Sequence, residues 1–221
     1  MKSMNLVEKE HCCLIEDVFP RHARAGFTKK NLEGNLPQDI KTALSFLSKD
    51  IRVGYLKQEH SSRVNVIKKE GLYEGDALFS DKSNLTLVVR SADCLPLYFF
   101  SQDLNIMGMV HMGWRSANQG ILNNINYDLS SFKVIAGVGL RSCCYKVGKE
   151  FLKMRLSKYV AKRKGELYFD PIKFAKETLS KEGLKKDNFF DLSICSFCNS
   201  REFYSYRRSA SSQRTLSFIF Q

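Results

Sequence analysis

Two histidines and one cysteine lie at or just beyond the ends of apolar runs. His60 is in QEHSSRV, Cys94 is in SADCLP, and His111 ends NIMGMVH. Loops at strand ends present functional side chains on a rigid frame. Two imidazoles and a thiol can bind a catalytic zinc, which keeps its fourth position open. The three residues share no short motif, and each histidine taken alone is better interpreted as a hydrogen-bonded turn or core residue.

Four charged side chains could act together with these three residues. Asp93 directly precedes the cysteine, and Asp76 lies in EGDALFSD. An aspartate can orient a metal-binding histidine, although both positions also suit a turn. Arg115 in VHMGWRSANQG and Arg207 in SYRR could hold an anion or a developing negative charge. The alternatives are an Arg115 that stacks on Trp114 and a structural role for Arg207.

The cysteines favour reduced thiols over a disulfide framework. There are seven, arranged as Cys12–Cys13, Cys94, Cys143–Cys144 and Cys195–Cys198. An odd number in a chain of 221 residues is atypical of small secreted domains. The Cys-x-x-Cys segment could be a redox pair or half of a zinc site, but adjacent cysteines are poorly spaced to share one tetrahedral ion. We therefore expect buried thiols, with Cys144 as a wall of the active site.

Short β-branched and aromatic runs, bounded by turn-forming residues, predict strands. These runs are 53–58, 63–67, 85–89, 97–100, 106–111, 133–138, 192–195 and 215–220. Apolar residues at helical spacing predict one helix over 121–129 and another that begins at Pro171. Hairpin-like pairs mixed with isolated helices predict an α+β fold, a single domain over residues 1–221 in which mixed β-sheets are layered with helices.

Composition limits the partners of this chain. The net charge is +12, and residues 146–186 hold thirteen Lys and Arg against five Asp and Glu. We interpret this segment as a solvated lysine-rich helical surface rather than a nucleic-acid interface, because no aromatic interleaving accompanies it; its field would favour anionic substrates. No apolar run is long enough to span a membrane, and the N-terminus does not resemble a signal peptide, so we expect a cytoplasmic protein.

Six ordered blocks between residues 53 and 220 resemble one known family. SADCLP and VHMGWR are similar to the family's ADC-P and HAGWR blocks, and Gln58–His60 to its Gln-Val-His. GDALFSD, CCYKVG (143–148) and CSFCNSREFYSYRR (195–208) follow the same order. The chain therefore resembles the laccase-domain, or YfiH-like, purine nucleoside phosphorylases, once labelled multicopper polyphenol oxidases, whereas its N-terminal part diverges.

The resemblance implies a fold shared with cytotoxic-necrotizing-factor-like hydrolases and a metal site, with zinc bound by His60, Cys94 and His111. It implies phosphorolysis of adenosine, inosine and methylthioadenosine with phosphate as co-substrate, and also adenosine deamination. Catalytic roles then fall to Cys94, His111 and Asp93. Substrate-binding roles are assigned to Arg115, Asp76, Arg207, Cys144 and Lys30.

Several positions depart from the family pattern. The segment GFTKKNLEGN (26–35) has Lys30 where arginine is usual, and a lysine cannot clamp an anion in the bidentate manner of arginine. Lys146 replaces a glutamate, Arg141–Ser142 replaces Gly-Pro, and QVHG becomes QEHS. These changes affect the expected substrate surroundings and leave the metal ligands intact.

Three other functions compete with this one. In the first, Cys94 is a nucleophile and His111 its base, in a metal-free amidase that edits peptidoglycan precursors. A multicopper oxidase is rejected, because the chain's four histidines are too few. An RNA-binding protein would use the basic 146–186 segment, but the site blocks disfavour this as the main function.

Overall fold

The computed structural model describes residues 4–10, 12–30, 40, 44–48, 50–210 and 212–221. Sixteen strands form three sheets in this part of the chain. The strands are β1 (Asn5–Glu8), β2 (Cys12–Glu16), β3 (Arg24–Thr28), β4 (Val53–Lys57), β5 (Val64–Val66), β6 (Gly71–Glu74), β7 (Ala77–Ser80), β8 (Thr86–Ser91), β9 (Leu95–Ser101), β10 (Ile106–Met112), β11 (Phe132–Ala136), β12 (Lys146–Val147), β13 (Val160–Arg163), β14 (Glu166–Phe169), β15 (Phe189–Asp191) and β16 (Thr215–Phe220).

Helices are short and few in the described residues. The α-helices are α1 (Trp114–Asn118), α2 (Pro171–Lys181) and α3 (Tyr206–Ser209), and 3₁₀ turns cover Leu129–Ser131, Lys149–Lys153, Ser157–Tyr159 and Lys186–Asn188. None of these helices is long and apolar enough to cross a membrane. The α+β fold with mixed sheets and few helices is therefore confirmed.

Two large sheets pack face to face. The seven-stranded sheet has the order β1-β2-β3-β16-β8-β4-β6, and the six-stranded sheet has the order β15-β11-β9-β10-β7-β5. Side chains alternate between the two faces of a strand. In β9, Tyr98 and Phe100 join the core between the sheets, whereas Leu97 and Phe99 join the core on the outer face. Helix α2 covers that outer face with Phe174.

Most of the predicted strands are present with boundaries shifted by one or two residues. The predicted strand over 192–195 is wrong, because the strand in this region is β15 and residues 192–194 follow it as a loop. The helix expected over 121–129 is also wrong. Helix α1 ends at Asn118, and Gly120 then adopts φ +84°, which breaks the helical path.

The helix predicted at Pro171 is confirmed. Asp170 caps it by accepting hydrogen bonds from the amides of Ile172 and Lys173, and proline occupies the first turn. The basic segment 146–186 is not the single helical surface expected from its composition, since it contains β12, β13, β14 and two 3₁₀ turns besides α2. Some of its lysines form ion pairs, for example Lys146 with Glu166 and Lys158 with Glu177.

Candidate metal centre and its cavity

The three ligand-type residues meet where the chain crosses between the two large sheets. Cys94 lies in the connection from β8 to β9, and His60 in the connection from β4 to β5. His111 lies in β10, opposite Pro96 of β9. Its side chain lies on the same face as Met107 and Met109, whose side chains pack between the sheets. The sheet register therefore brings together residues that are up to 51 positions apart.

The donor atoms are close enough to share one ion. The ligand atoms of His60, Cys94 and His111 all lie within 4.8 Å of one another. The Cys94 Sγ atom is 3.7 Å from His60 Nε2, and the two imidazole rings have centroids 5.1 Å apart. His111 is buried, and the other two are half-buried. This donor set matches a three-ligand zinc site.

Asp76 orients both histidines from a fully buried position. It lies opposite His111, just before β7, and its Oδ1 atom is 2.8 Å from His111 Nδ1. Its Oδ2 atom accepts hydrogen bonds from the Ser61 amide and hydroxyl, at 2.6 Å and 2.9 Å, in the loop that carries His60. His111 Nε2 is then the ring nitrogen left for a metal. Burial raises the pKa of Asp76, but the bonds from His111 and Ser61 outweigh it and lower that pKa.

Without a metal, the charges at the site favour a thiolate. Burial raises the pKa of Cys94, but His111 and His60 outweigh this effect and lower it to about 6. Burial lowers the pKa of His111, yet Cys94 and Asp76 raise it to about 9. A thiolate beside an imidazolium is therefore the favoured pairing, and a divalent cation would replace the proton on His111.

Gly113 is required by close packing. Its φ of −83° is accessible to any residue. A Cβ atom at this position would lie 2.8 Å from His60 Cδ2 and 3.1 Å from Cys94 Sγ. The backbone after His111 therefore packs directly on the other two ligands, which excludes any side chain at residue 113.

A cavity of about 730 Å³ opens over the three ligands. This volume is in the usual range for small-molecule sites. The three ligands line it together with aromatic and basic side chains. Its other lining residues are Gln58, Arg90, Ser91, Ala92, Asp93, Trp114, Arg115, Leu140, Tyr145, Tyr206, Arg207, Ser212 and Arg214.

Comparison with known proteins places this chain in a family. The family described as multi-copper polyphenol oxidoreductase laccase matches residues 26–221. The chain belongs to this family. A protein from Borreliella burgdorferi named purine nucleoside phosphorylase is 30% identical over 85% of this chain and 87% of its own length. A protein of the same name from Aquifex aeolicus is 31% identical over 86% and 92%.

Solved structures agree with the fold. The chain superposes on YfiH from Bacillus licheniformis with a TM-score of 0.84 at 22% identity, and on YlmD from Geobacillus stearothermophilus with a TM-score of 0.86 at 20% identity. Each comparison covers 98% of both chains. The YfiH-like fold and the laccase-domain family expected from the sequence blocks are therefore confirmed.

The family's description mentions several coppers, whereas the described residues of this laccase-domain chain bring only two histidines to the cavity. His22 packs against the ring of Phe100, with centroids 5.8 Å apart, and His11 lies outside the described residues. The donor set of one thiol and two imidazoles suits one zinc better than a cluster of coppers.

Asp93 lies in the cavity wall with both carboxylate oxygens engaged. Oδ1 accepts a hydrogen bond from the Ser196 hydroxyl at 2.8 Å, and Oδ2 accepts one from the Arg207 amide at 2.7 Å. Its φ of +96° is unusual for a residue other than glycine. Asp93 therefore ties the Cys94 loop to two later segments, and its catalytic role stays a prediction.

Arg115 and Arg207 reach the cavity while resting on aromatic rings. The Arg115 guanidinium lies 4.8 Å from the ring centroid of Trp114, as the stacking alternative expects, and that of Arg207 lies 5.0 Å from the ring of Tyr145. Both side chains are exposed. Arg207 also donates from Nη1 to the Lys146 carbonyl, so it has the structural role that its alternative expected, and its other N–H groups remain for an anion together with those of Arg115.

Three of the five expected substrate-binding residues, Lys30, Cys144 and Asp76, are not among the described residues that line the cavity. Lys30 donates a hydrogen bond to the Ser200 carbonyl and lies over the ring of Tyr204, and residues 31–39 that follow it lie outside the described part. The Cys144 sulfur is 3.3 Å from that of Cys198. Asp76 also contacts His111 and the His60 loop rather than the open cavity.

Other cavity residues were not identified from the sequence. Tyr145 is buried, and burial raises the pKa of its hydroxyl. Arg90 and Arg214 add positive charge to the wall. Tyr145 lies in the CCYKVG block, and this family block was the only feature of the sequence that could have indicated it as a cavity residue.

Proposed function

We propose that this chain is a metal-dependent purine nucleoside enzyme of the cytoplasm. Its main reaction would be phosphorolysis of adenosine, inosine or methylthioadenosine, and it would also deaminate adenosine. The observation that carries the proposal is the convergence of His60, Cys94 and His111 beneath a cavity lined by arginines and aromatic rings. The relatives named purine nucleoside phosphorylase support the substrate class.

His60, Cys94 and His111 would hold a zinc ion, which supplies Lewis acidity at the base of the cavity. Asp76 keeps His111 in the tautomer that offers Nε2 and holds the His60 loop through Ser61. The low pKa of Cys94 means that its sulfur needs no base to become a ligand.

The cavity wall would bind the two substrates by different forces. Arg115 and Arg207 lie at the surface over the rings of Trp114 and Tyr145, so they are suited to hold phosphate against the nucleoside. The aromatic side chains of Trp114, Tyr145 and Tyr206 offer apolar surface to a purine ring.

The test is product analysis with purified protein, with adenosine, inosine and methylthioadenosine each incubated with and without phosphate. We expect free base and ribose 1-phosphate, or its methylthio form, only when phosphate is present, and inosine with ammonia from adenosine in either condition. Cys94→Ala should abolish both products. No turnover of any of the three nucleosides would contradict the proposal.

A metal-free cysteine hydrolase is the second candidate, because the thiolate of Cys94 beside a protonated His111 is also the resting state of a nucleophile and its acid. Its substrate would be an amide of a peptidoglycan precursor. Chelation separates the candidates. If activity on such an amide persists in protein shown to contain no metal, this second function holds. Loss of nucleoside turnover on chelation, restored by zinc, supports the first.

A further inference from the structure

The other cysteine cluster lies outside the cavity. Cys143 and Cys144 lie on the turn that precedes β12, and Cys195 and Cys198 lie on the loop that follows β15. All four sulfurs lie within 4.8 Å of one another. The Cys198 sulfur is 3.3 Å from that of Cys144 and 3.7 Å from that of Cys143. Two sulfurs bound to one tetrahedral zinc are about 3.8 Å apart, since each Zn–S bond is about 2.3 Å.

The backbone brings the two pairs together. Gly139 and Cys195 form a parallel bridge that continues the β11–β15 pairing, and the Ser196 amide donates to the Gly139 carbonyl at 3.1 Å. The amides of Cys144 and Tyr145 both donate to the Arg141 carbonyl, which makes the chain turn sharply. In this turn, unlike in a strand, adjacent side chains can point to the same side. The expectation that adjacent cysteines are poorly spaced for one ion therefore does not apply here.

The expectation of buried thiols holds for only one member of the cluster. Cys195 is buried, Cys144 is half-buried, and Cys143 and Cys198 are exposed. Packing as small apolar side chains does not explain two exposed thiols beside two others. The exposure also leaves a path for a metal ion to enter.

The surroundings of Cys195 and Cys143 favour negative charge on their sulfurs. The buried Arg141 guanidinium is close enough to both to interact with that charge. A cation beside the sulfurs stabilises the thiolate form in which cysteine binds a metal.

We propose that Cys143, Cys144, Cys195 and Cys198 bind a zinc ion in a closed structural site. Four thiolates fill the tetrahedron, so this ion would have no open position for substrate. Binding would release the thiol protons to solvent. The site would fasten the turn before β12 to the loop after β15.

The proposed zinc site would also hold the cavity wall in place, because two of its cysteines are next to residues of that wall or in contact with it. Tyr145, next to Cys144, lines the cavity, and Ser196, next to Cys195, donates the 2.8 Å hydrogen bond to Asp93. Arg208 already holds the same loop through the carbonyls of Ser196 and Phe197. The proposed zinc would therefore hold two parts of the cavity wall without contacting substrate.

A disulfide is the competing use of these sulfurs. Cys144 and Cys198 are 3.3 Å apart, and a bond between them would leave the sulfurs of Cys143 and Cys195, which lie within 4.8 Å of both, without a role. A zinc ion uses all four sulfurs at the observed separations. We therefore favour the metal, and the experiment treats the disulfide as the outcome that overturns it.

Zinc is counted by atomic spectroscopy in full-length protein that carries His60→Ala and Cys94→Ala, which removes two ligands of the cavity centre. We expect one zinc per chain to remain after dialysis against zinc-free buffer. Adding Cys198→Ser should remove it, whereas adding Cys12→Ala, a cysteine outside both clusters, should not. Loss of zinc already in the first variant, or retention of zinc after Cys198→Ser, would overturn the proposal.

Cobalt provides a readout that does not require the Cys198→Ser variant to fold. Cobalt(II) in the His60→Ala/Cys94→Ala protein should give the sulfur-to-metal charge-transfer bands and strong visible bands of a tetrathiolate site. Absence of these bands would refute the site.

Mass spectrometry of alkylated peptides tests the disulfide. Protein purified in reductant should have all four thiols free after metal removal, and a Cys144–Cys198 disulfide in it would assign the cluster to redox chemistry instead. None of these readouts depends on nucleoside turnover, so they are separate from the proposed function.

Discussion

At the scale of single residues, one carboxylate contacts two candidate metal ligands or their surroundings, His111 in β10 and the loop that carries His60. Asp76 contacts His111 through Oδ1 and the His60 loop through Oδ2, and it is fully buried. Such partners of a ligating histidine raise its basicity and fix the ring. The centre therefore depends on a residue that is not itself among its three candidate ligands.

Asp76→Asn should weaken zinc binding while the chain still folds, because the amide fills the same volume but lacks the charge that favours a metal-binding His111. We expect zinc affinity, measured by competition with a chromogenic chelator, to fall about 10- to 100-fold. Asp81→Asn changes an exposed carboxylate that pairs with Lys82 and should leave affinity unchanged. Equal affinities for the two variants would show that Asp76 does not tune the centre.

Gly113→Ala should damage the same centre by contact. The new methyl group would lie 2.8 Å from His60 Cδ2 and 3.1 Å from Cys94 Sγ, so at least one of these ligands must move. We expect zinc content per chain to fall. Gly165→Ala is the control. Its φ of +85° makes alanine costly for the backbone, a cost that is absent at Gly113, but no atom lies within 4 Å of the new methyl group. The contact argument fails if both variants retain full zinc.

At the scale of elements, the strands were predictable and the connections between them were less so. Runs such as 215–220 are β-branched or aromatic along their length, and this local property identifies strands. The helix expected over 121–129 failed because Ile121, Leu122, Ile125 and Leu129 are buried in the core without helical backbone. Spacing alone does not distinguish a buried irregular segment from a helix.

The two cysteine-containing sites show the same limit. Their places at strand ends indicated His60, Cys94 and His111 as a possible zinc set, but only the family blocks favoured one shared site. The β4–β5 connection that brings His60 to Cys94 and His111 crosses between the sheets, and no short motif marks it. The approach of Cys143 and Cys144 to Cys195 and Cys198 had no local signal, since it depends on the Gly139–Cys195 bridge and on a turn. Tertiary contacts of this kind are not encoded in any single window of sequence.

Helix α2 gives a prediction about stability alone. Asp170 accepts the amides of Ile172 and Lys173 at 3.1 Å and 2.9 Å. Asp170→Ala should therefore lower the free energy of unfolding by about 1 kcal/mol. Urea denaturation should show a lower midpoint with an unchanged slope. As a control, replacement of the exposed Asp103 by alanine should leave the midpoint unchanged. If Asp170→Ala also leaves the midpoint unchanged, the Asp170 cap does not stabilise this helix.

At the scale of the whole molecule, the candidate centre joins the two large sheets. Cys94 lies between β8 of the seven-stranded sheet and β9 of the six-stranded sheet, and His60 lies between β4 and β5 of the same two sheets. A metal held by these crossings and by β10 would clamp one end of the sandwich. Such an ion binds the folded chain and finds no preformed site in the unfolded one, so its binding energy adds to stability.

Free zinc should therefore raise the melting temperature of the chain. At a free concentration about 100 times Kd, one site contributes about 2.7 kcal/mol, which for a chain of this size corresponds to about 5–10 °C. Cys198→Ser removes one sulfur of the four-cysteine cluster and so isolates the cavity centre. The melting temperature of this variant should still rise when zinc is added. The rise should vanish in Cys198→Ser combined with Cys94→Ala, as followed by differential scanning calorimetry. A melting temperature of Cys198→Ser that does not respond to zinc would mean that no metal clamps the two crossings.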